Sequence, residues 1–195
     1  MKNQKPHYRN YQNYSKYVKH QKSKLKKLEK FLPVYDKRYS QVLFERLEED
    51  NIINSGTNAL CLGARIGTEV KAFHKLGCFA VGIDLITSKD NKYVLYGDFH
   101  DLQFPSDSMD FVFTNSLDHV FDLNKVLAEI RRVLKPGGYF ITEVMNKLSL
   151  ASTKYESFAW DSVDDLLELI NGFKLIKRTE FVYPWKGEHC VFKKI

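Results

Sequence analysis

Residues 59–67 read Ala-Leu-Cys-Leu-Gly-Ala-Arg-Ile-Gly, and one helix length later comes Val81-Gly82-Ile83-Asp84. An apolar run ending on a glycine turn, then a second apolar run ending on an acid, is the layout of a nucleotide-binding β-turn-α-β unit. At Gly63 the missing side chain lets backbone approach a ligand. Asp84 stands 21 positions after Gly63. That is near the roughly 20-residue interval at which an acid meets a ribose diol in dinucleotide folds.

The rest of the chain extends this unit. Residues 34–50 have a helical apolar stripe through Val42, Leu43, Phe44 and Leu47. The pattern predicts strands at about 58–62, 80–84, 93–98, 109–115 and 139–144, with helices at about 68–76, 122–134 and 163–170. Gly77 and the Lys135-Pro136-Gly137-Gly138 run stop two of those helices, and Ser162 caps the third with Asp165 three residues on. Two closing strands, about 173–181 and 189–193, are close enough in sequence to pair antiparallel at a sheet edge. The predicted fold class is α/β, a three-layer Rossmann-like sheet that is mostly parallel with an antiparallel C-terminal edge hairpin. Gly63, Asp84, Asp98 and Asn115 all fall at strand C-termini, where ligands bind in such sheets.

Charge divides the chain. Residues 1–30 hold ten Lys/Arg and one acid, while the remainder holds 20 basic and 23 acidic residues. The net +6 therefore belongs to an N-terminal arm, residues 1–33, read as partly helical or disordered, ahead of a domain at 34–195. Tyr8, Tyr11, Tyr14 and Tyr17 recur every three residues within it. Such an arm either contacts nucleic acid or another polyanion, or is a solvated tail or a helix covering the core.

The chain has no run of about 18 apolar residues, so no membrane contact is expected, and its start has no apolar stretch of the secretory kind. Cys61, Cys78 and Cys190 are odd in number and lack metal-ligand spacing, so no metal site is expected. A reducing, cytoplasmic setting fits them.

Five blocks in order carry a family resemblance: Cys61-Leu-Gly-Ala-Arg-Ile-Gly67, Val81-Gly-Ile-Asp84, Gly97-Asp98-Phe99-His100-Asp101-Leu102, Asp110-Phe-Val-Phe-Thr-Asn115 and Arg132-Val-Leu-Lys-Pro-Gly-Gly138. Together they resemble the class I S-adenosylmethionine-dependent methyltransferases of the small "type 11" kind, over about residues 40–193. The resemblance implies S-adenosyl-L-methionine as cofactor. It implies that Gly63, Ala64, Arg65 and Gly67 line the loop under its methionine portion and that Asp84 accepts the ribose hydroxyls. It also implies that Asp98 accepts the adenine amino group between Leu85 and Phe99, with Asn115, Ser116 and Leu117 bordering the sulfonium. Two positions depart from the family pattern. Cys61 stands where an acid is usual, and Arg65 where the middle glycine is usual. Glu69 is a nearby acid that either takes over the cofactor's ammonium or is a favourable charge in the first turn of a helix.

Methyl transfer from a sulfonium needs alignment and exclusion of water, and a base only where the acceptor carries a proton. The candidate catalytic residues are His119 and Asp118, with His100 next. Tyr155, Phe158, Trp160, Tyr183 and Trp185 supply aromatic surface near the acceptor side. An Asn-Pro-Pro-aromatic signature of amino-methylating DNA enzymes is absent, since Thr114-Asn115-Ser116-Leu117 lacks the prolines. The leading reading is methyl transfer to a small-molecule or sugar-like acceptor. The alternatives are an RNA methyltransferase that docks through its basic arm, and a non-catalytic cofactor-binding module with an altered glycine loop.

Overall fold

The structure, a computed structural model, describes residues 7–28, 32–151 and 153–195. Residues 1–6 and 29–31 of the basic arm lie outside the described residues. The chain runs β1 (His7–Tyr8), α1 (Tyr14–Leu28), α2 (Leu32–Glu49), β2 (Asn58–Leu62), α3 (Thr68–Lys75), β3 (Phe79–Asp84), β4 (Val94–Tyr96) and β5 (Met109–Thr114). It continues through a 3-10 turn at Leu117–His119, α4 (Leu123–Val133), β6 (Leu134–Met145), β7 (Phe158–Ala159), α5 (Val163–Leu167), β8 (Phe173–Phe181) and β9 (Gly187–Lys194).

Seven strands form one sheet in the order β4-β3-β2-β5-β6-β9-β8. β2 pairs parallel with β3 on one side and β5 on the other, so the strand order reverses there. The expected edge hairpin is present, with β9 antiparallel to both β6 and β8. Side chains alternate across the sheet, as the period of two requires. Cys61, Phe111 and Phe113 join Tyr39, Leu43, Leu47 and Phe73 of α2 and α3 on one face. Leu60, Leu62 and Val112 join Val126, Ile130 and Val133 of α4, and Leu166 of α5, on the other. Burying each of these large side chains contributes about 1.5–3 kcal/mol.

The Ser162 cap forms as expected, its Oγ accepting from the Asp165 backbone N–H at 3.2 Å. One local expectation is corrected. Lys135-Pro136-Gly137-Gly138 was read as a turn between a helix and a separate strand, but β6 already begins at Leu134, opposite Met109. The next pair is Phe111 with Tyr139, so the four residues form an excursion within one long strand. Gly137 turns it at φ 74°, in the left-handed region that glycine enters without a Cβ penalty.

The arm takes one of its expected alternatives, a helix laid over the rest of the chain, and adds a short strand. His7–Tyr8 pairs antiparallel with Phe158–Ala159, and α1 then lies across the C-terminal tips of the parallel strands. Among the described residues no helix is long and apolar enough to cross a membrane.

Candidate functional site

The β2–α3 turn brings the glycine loop to the point where the strand order reverses. Gly63 has φ 70°, and a Cβ there would sit 2.7 Å from Ser116 Oγ. Only glycine lets the β2 and β5 tips approach this closely. At the end of β3, Asp84 Oδ2 accepts the Arg65 N–H at 3.0 Å and Oδ1 accepts the Ile86 N–H at 2.9 Å. Arg65, in place of a glycine, has φ 45°. A left-handed conformation costs a non-glycine residue about 1–2 kcal/mol, and the Asp84 bond to its N–H helps hold it.

The α1 side of this loop is roofed by tyrosines. Tyr17 is fully buried and its hydroxyl donates to the His119 carbonyl at 2.8 Å. The Tyr14 hydroxyl donates to Asp98 Oδ2 and lies 3.1 Å from His100 Nδ1. Asp98 Oδ1 is engaged as well, by the His100 N–H and ring Nδ1, both at 2.9 Å. Burial alone would raise the Asp98 pKa, but the hydrogen bonds from His100 and Tyr14 outweigh it and hold the carboxyl below its usual range. Under this roof a cavity of about 60 Å³ remains, touched by Tyr17, Gln21, Gly63, Asp84, Leu85 and Phe99. The roof of α1 narrows this cavity from above.

His100 is a structural residue. It is 2% exposed, and its Nε2 faces the N–H groups of Phe121 (3.0 Å) and Asp122 (3.3 Å). Nε2 must therefore accept, which places the ring proton on Nδ1, toward Asp98.

A second cavity, of about 220 Å³, opens beyond Asn115 and Leu117. Tyr35, Trp160 and Trp185 wall it, and Asp118, His119 and Glu156 face it. Arg65 and His119 border both cavities. His119 Nε2 lies 3.7 Å from Asp118 Oδ2 and Nδ1 lies 3.3 Å from the Tyr155 carbonyl. Asp118, His119 and Glu156 each offer one ligand atom within 4.8 Å of the other two. A divalent ion tolerates such a spacing, although acids and imidazoles also gather this way without one.

Behind this cavity lies a buried charge network. Glu143 accepts from Tyr39 at 2.7 Å, pairs with Arg46 at 2.6 Å and meets His189 Nδ1 at 3.1 Å. His189 Nε2 meets Asp50 at 2.8 Å. Burial would lower the His189 pKa, but the hydrogen bonds to Asp50 and Glu143 outweigh it and raise it to about 9. The network ties β6, β9 and α2 together.

Glu69 sits in the first turn of α3 behind the glycine loop, 6% exposed. Its Oε1 accepts from Asn115 Nδ2 at 3.1 Å, and the same amide reaches the Tyr39 hydroxyl at 3.1 Å. Its Oε2 is buried without a hydrogen-bond partner among the described residues. Burial raises its pKa to about 7, against the lowering effects of its own backbone N–H, Arg65 and Asn115. Cys61, at the position where the family has its acid, is fully buried, and its thiol is pushed well up by burial and then by Glu69.

The structure thus brings Gly63, Arg65, Asp84, Leu85, Phe99 and Ser116 to one cavity, and Asn115, Leu117 and Asp118 to its neighbour. Ala64 is buried and packs under Gly82, where a Cβ would meet it at 2.6 Å. A Cβ on Gly67 would meet Tyr93 at 2.4 Å, so that glycine answers to packing within the protein. Of the expected aromatics, Trp160 and Trp185 reach the second cavity, while Phe158 is buried beneath β1 and Tyr183 is exposed. Sequence reasoning did not place Tyr14, Tyr17, Gln21 or Tyr35. The three-residue tyrosine spacing was the signal for the first two.

Comparisons with known proteins agree with this geometry. Residues 60–142 match the family model described as a methyltransferase domain. A 1,6-didemethyltoxoflavin-N1-methyltransferase of Burkholderia thailandensis, solved with 1,6-didemethyltoxoflavin and S-adenosylhomocysteine, superposes with a TM-score of 0.73 at 15% identity. The match covers 98% of this chain and 99% of that one. A SAM-dependent methyltransferase of Aquifex aeolicus superposes with a TM-score of 0.60 at 16% identity over 78% and 89% of the two chains. An uncharacterized protein of Methanocaldococcus jannaschii is 28% identical over 140 residues, 62% of this chain and 68% of its own length.

Proposed function

We propose that this chain, whose residues 60–142 match the methyltransferase domain model, transfers a methyl group from S-adenosyl-L-methionine to a small-molecule or sugar-like acceptor in the cytoplasm. The observation that supports this most is the meeting of two cavities at Arg65 and His119, above the tips of the parallel strands. One cavity has the groups for a nucleoside: the Asp84 carboxylate for a ribose diol, and Leu85 and Phe99 as apolar walls. The other, about 220 Å³, has the size for a small acceptor. The three buried free thiols fit a reducing compartment.

When bound, the cofactor supplies an activated methyl on a sulfonium. This chain's residues do the rest. Asn115 and Leu117 border the junction, Trp160 and Trp185 exclude water, and His119 accepts the proton that an O–H or N–H acceptor gives up, with Asp118 beside it. Entry of the nucleoside requires Tyr14 to leave Asp98 and α1 to lift.

A single experiment tests the reading. Calorimetry with S-adenosylhomocysteine should give binding at sub-millimolar concentration, and labelled methyl transfer to a panel of small hydroxyl and amine acceptors should give turnover. Binding without turnover on any acceptor favours the non-catalytic module, and no binding sinks both readings.

One observation favours the second, nucleic-acid reading. Lys16, Lys19 and Lys22 are exposed at three-residue spacing on the outer face of α1, a cationic stripe above the crevice. Salt-sensitive RNA binding that is lost on reversing those three charges would support it.

A further inference from the structure

Resting on the cofactor reading above, we propose that Glu69 is the anchor for the α-ammonium of the cofactor's methionine portion, in the role the family gives to the acid missing at Cys61. Glu69 is a positioning residue for the methyl donor, and its place in the sequence falls outside the motif that usually supplies this charge.

Three independent observations carry this. First, buried carboxylates have hydrogen-bond partners on both oxygens as a rule, yet Glu69 Oε2 is buried and has none among the described residues. An orphaned carboxylate oxygen is costly in the empty protein, which is what a site built for a cation looks like before the cation arrives. Second, Glu69 lines neither cavity itself but stands directly behind residues that do. Glu69 Oε1 holds the Asn115 amide, which borders the second cavity, and the next residue, Ser116, touches Gly63 at the first. Arg65 is near enough to act on Glu69 electrostatically but makes no ion pair with it among the described residues. Its guanidinium is left for a ligand carboxylate, so the loop offers one cation and one anion to an amino acid's two charges. Third, Glu69 stands beside Cys61. The thiol, neutral and fully buried, vacates the charge that the family places there and leaves room for one supplied from α3.

The groups that face Glu69 are Tyr35, Asp36 and Tyr39 from α2, Cys61 from β2, Arg65 from the glycine loop and Asn115 from the end of β5. Among the described residues named here Arg65 is the cation, and burial holds the Glu69 carboxyl above its usual range, at about 7. Ammonium binding needs it charged, so the donor should be held less tightly as pH falls below about 7.

The test compares two ligands on the full chain by calorimetry. S-adenosylhomocysteine carries the ammonium; methylthioadenosine keeps the nucleoside and thioether but lacks the amino-acid end. In Glu69→Gln, S-adenosylhomocysteine should weaken about tenfold or more, while methylthioadenosine stays unchanged. The ligand-free variant should also melt at a higher temperature than the wild type at pH 8, because an uncompensated buried charge has been removed. A merely structural Glu69 would give the opposite shift. In the wild type, the preference for S-adenosylhomocysteine over methylthioadenosine should shrink as pH falls below 7, by at most about tenfold per unit, which tests the proposal even if the variant fails to fold. Equal affinities for both ligands in wild type and variant, or an equal loss of both in the variant, overturn it. If the wild type binds neither ligand, the cofactor reading itself fails and this assignment falls with it.

Discussion

The two ends of the crevice hold carboxylates in opposite conditions. At the end proposed for adenine, both oxygens of Asp98 are taken, one by Tyr14 and the other by His100. At the end proposed for the methionine portion, Glu69 keeps one oxygen with no hydrogen-bond partner among the described residues. Burial acts on both, yet the Asp98 pKa is held below its ordinary value and the Glu69 pKa is raised to about 7. The difference lies in the partners each carboxylate finds within the protein. The arm satisfies one end from within, and the other end is the one proposed to take a charge from a ligand. A cofactor that spans both must displace a hydrogen bond at one end and supply one at the other.

The largest expected effect comes at the position between the two ends. Asp84→Ala should weaken S-adenosylhomocysteine by roughly a hundredfold or more, as two charge-assisted bonds to a ribose are lost, with an unchanged far-ultraviolet circular dichroism spectrum. Affinity within a few-fold of wild type would mean that the ends do not share one nucleoside. His119→Ala should lower the turnover of any proton-bearing acceptor by about a hundredfold while leaving S-adenosylhomocysteine affinity in place. A parallel loss of affinity would move His119 from the chemistry into the cofactor wall. Tyr14→Phe sharpens the comparison at the adenine end: with no phenol on Asp98, S-adenosylhomocysteine should bind about tenfold tighter. Weaker binding would make Tyr14 part of the finished site and not its plug. The smallest change falls at the methionine end. Arg65→Gly should raise thermal stability by about 1 kcal/mol through relief of its left-handed backbone. The direction of its effect on S-adenosylhomocysteine affinity then decides between a gripping and an obstructing guanidinium.

Much of the fold was legible because it is written in local signals. The runs at 58–62, 109–114 and 173–181 are apolar or alternating stretches bounded by turn residues, and the strands fall there. Asp84 was legible as the acid that ends the second strand because its distance from Gly63 is set by one strand and one helix. The arm was harder to read. A lysine-rich segment looks solvated by composition, and nothing local announces that His7–Tyr8 will pair with residues 150 positions away. Tyr14 and Tyr17 turn inward because α1 sets them beside Phe121 and His100, with rings 5.2–5.7 Å apart. The Lys135–Gly138 excursion was misread for a related reason. Glycine and proline mark a bend, but only the neighbouring strand decides whether pairing resumes beyond it. The state of Glu69 depends on Asn115 from β5 and on α2, which no pattern around residue 69 encodes.

The arm is also stitched to the 153–161 linker. Arg9 donates to the Glu156 and Thr153 carbonyls, Tyr11 and Gln21 reach Ser157, and Gln21 donates to the Tyr155 carbonyl. That linker contributes Glu156 and Trp160 to the second cavity. One latch therefore serves two rooms: on the proposed reading, any shift of α1 that widens the first would also loosen a wall of the second.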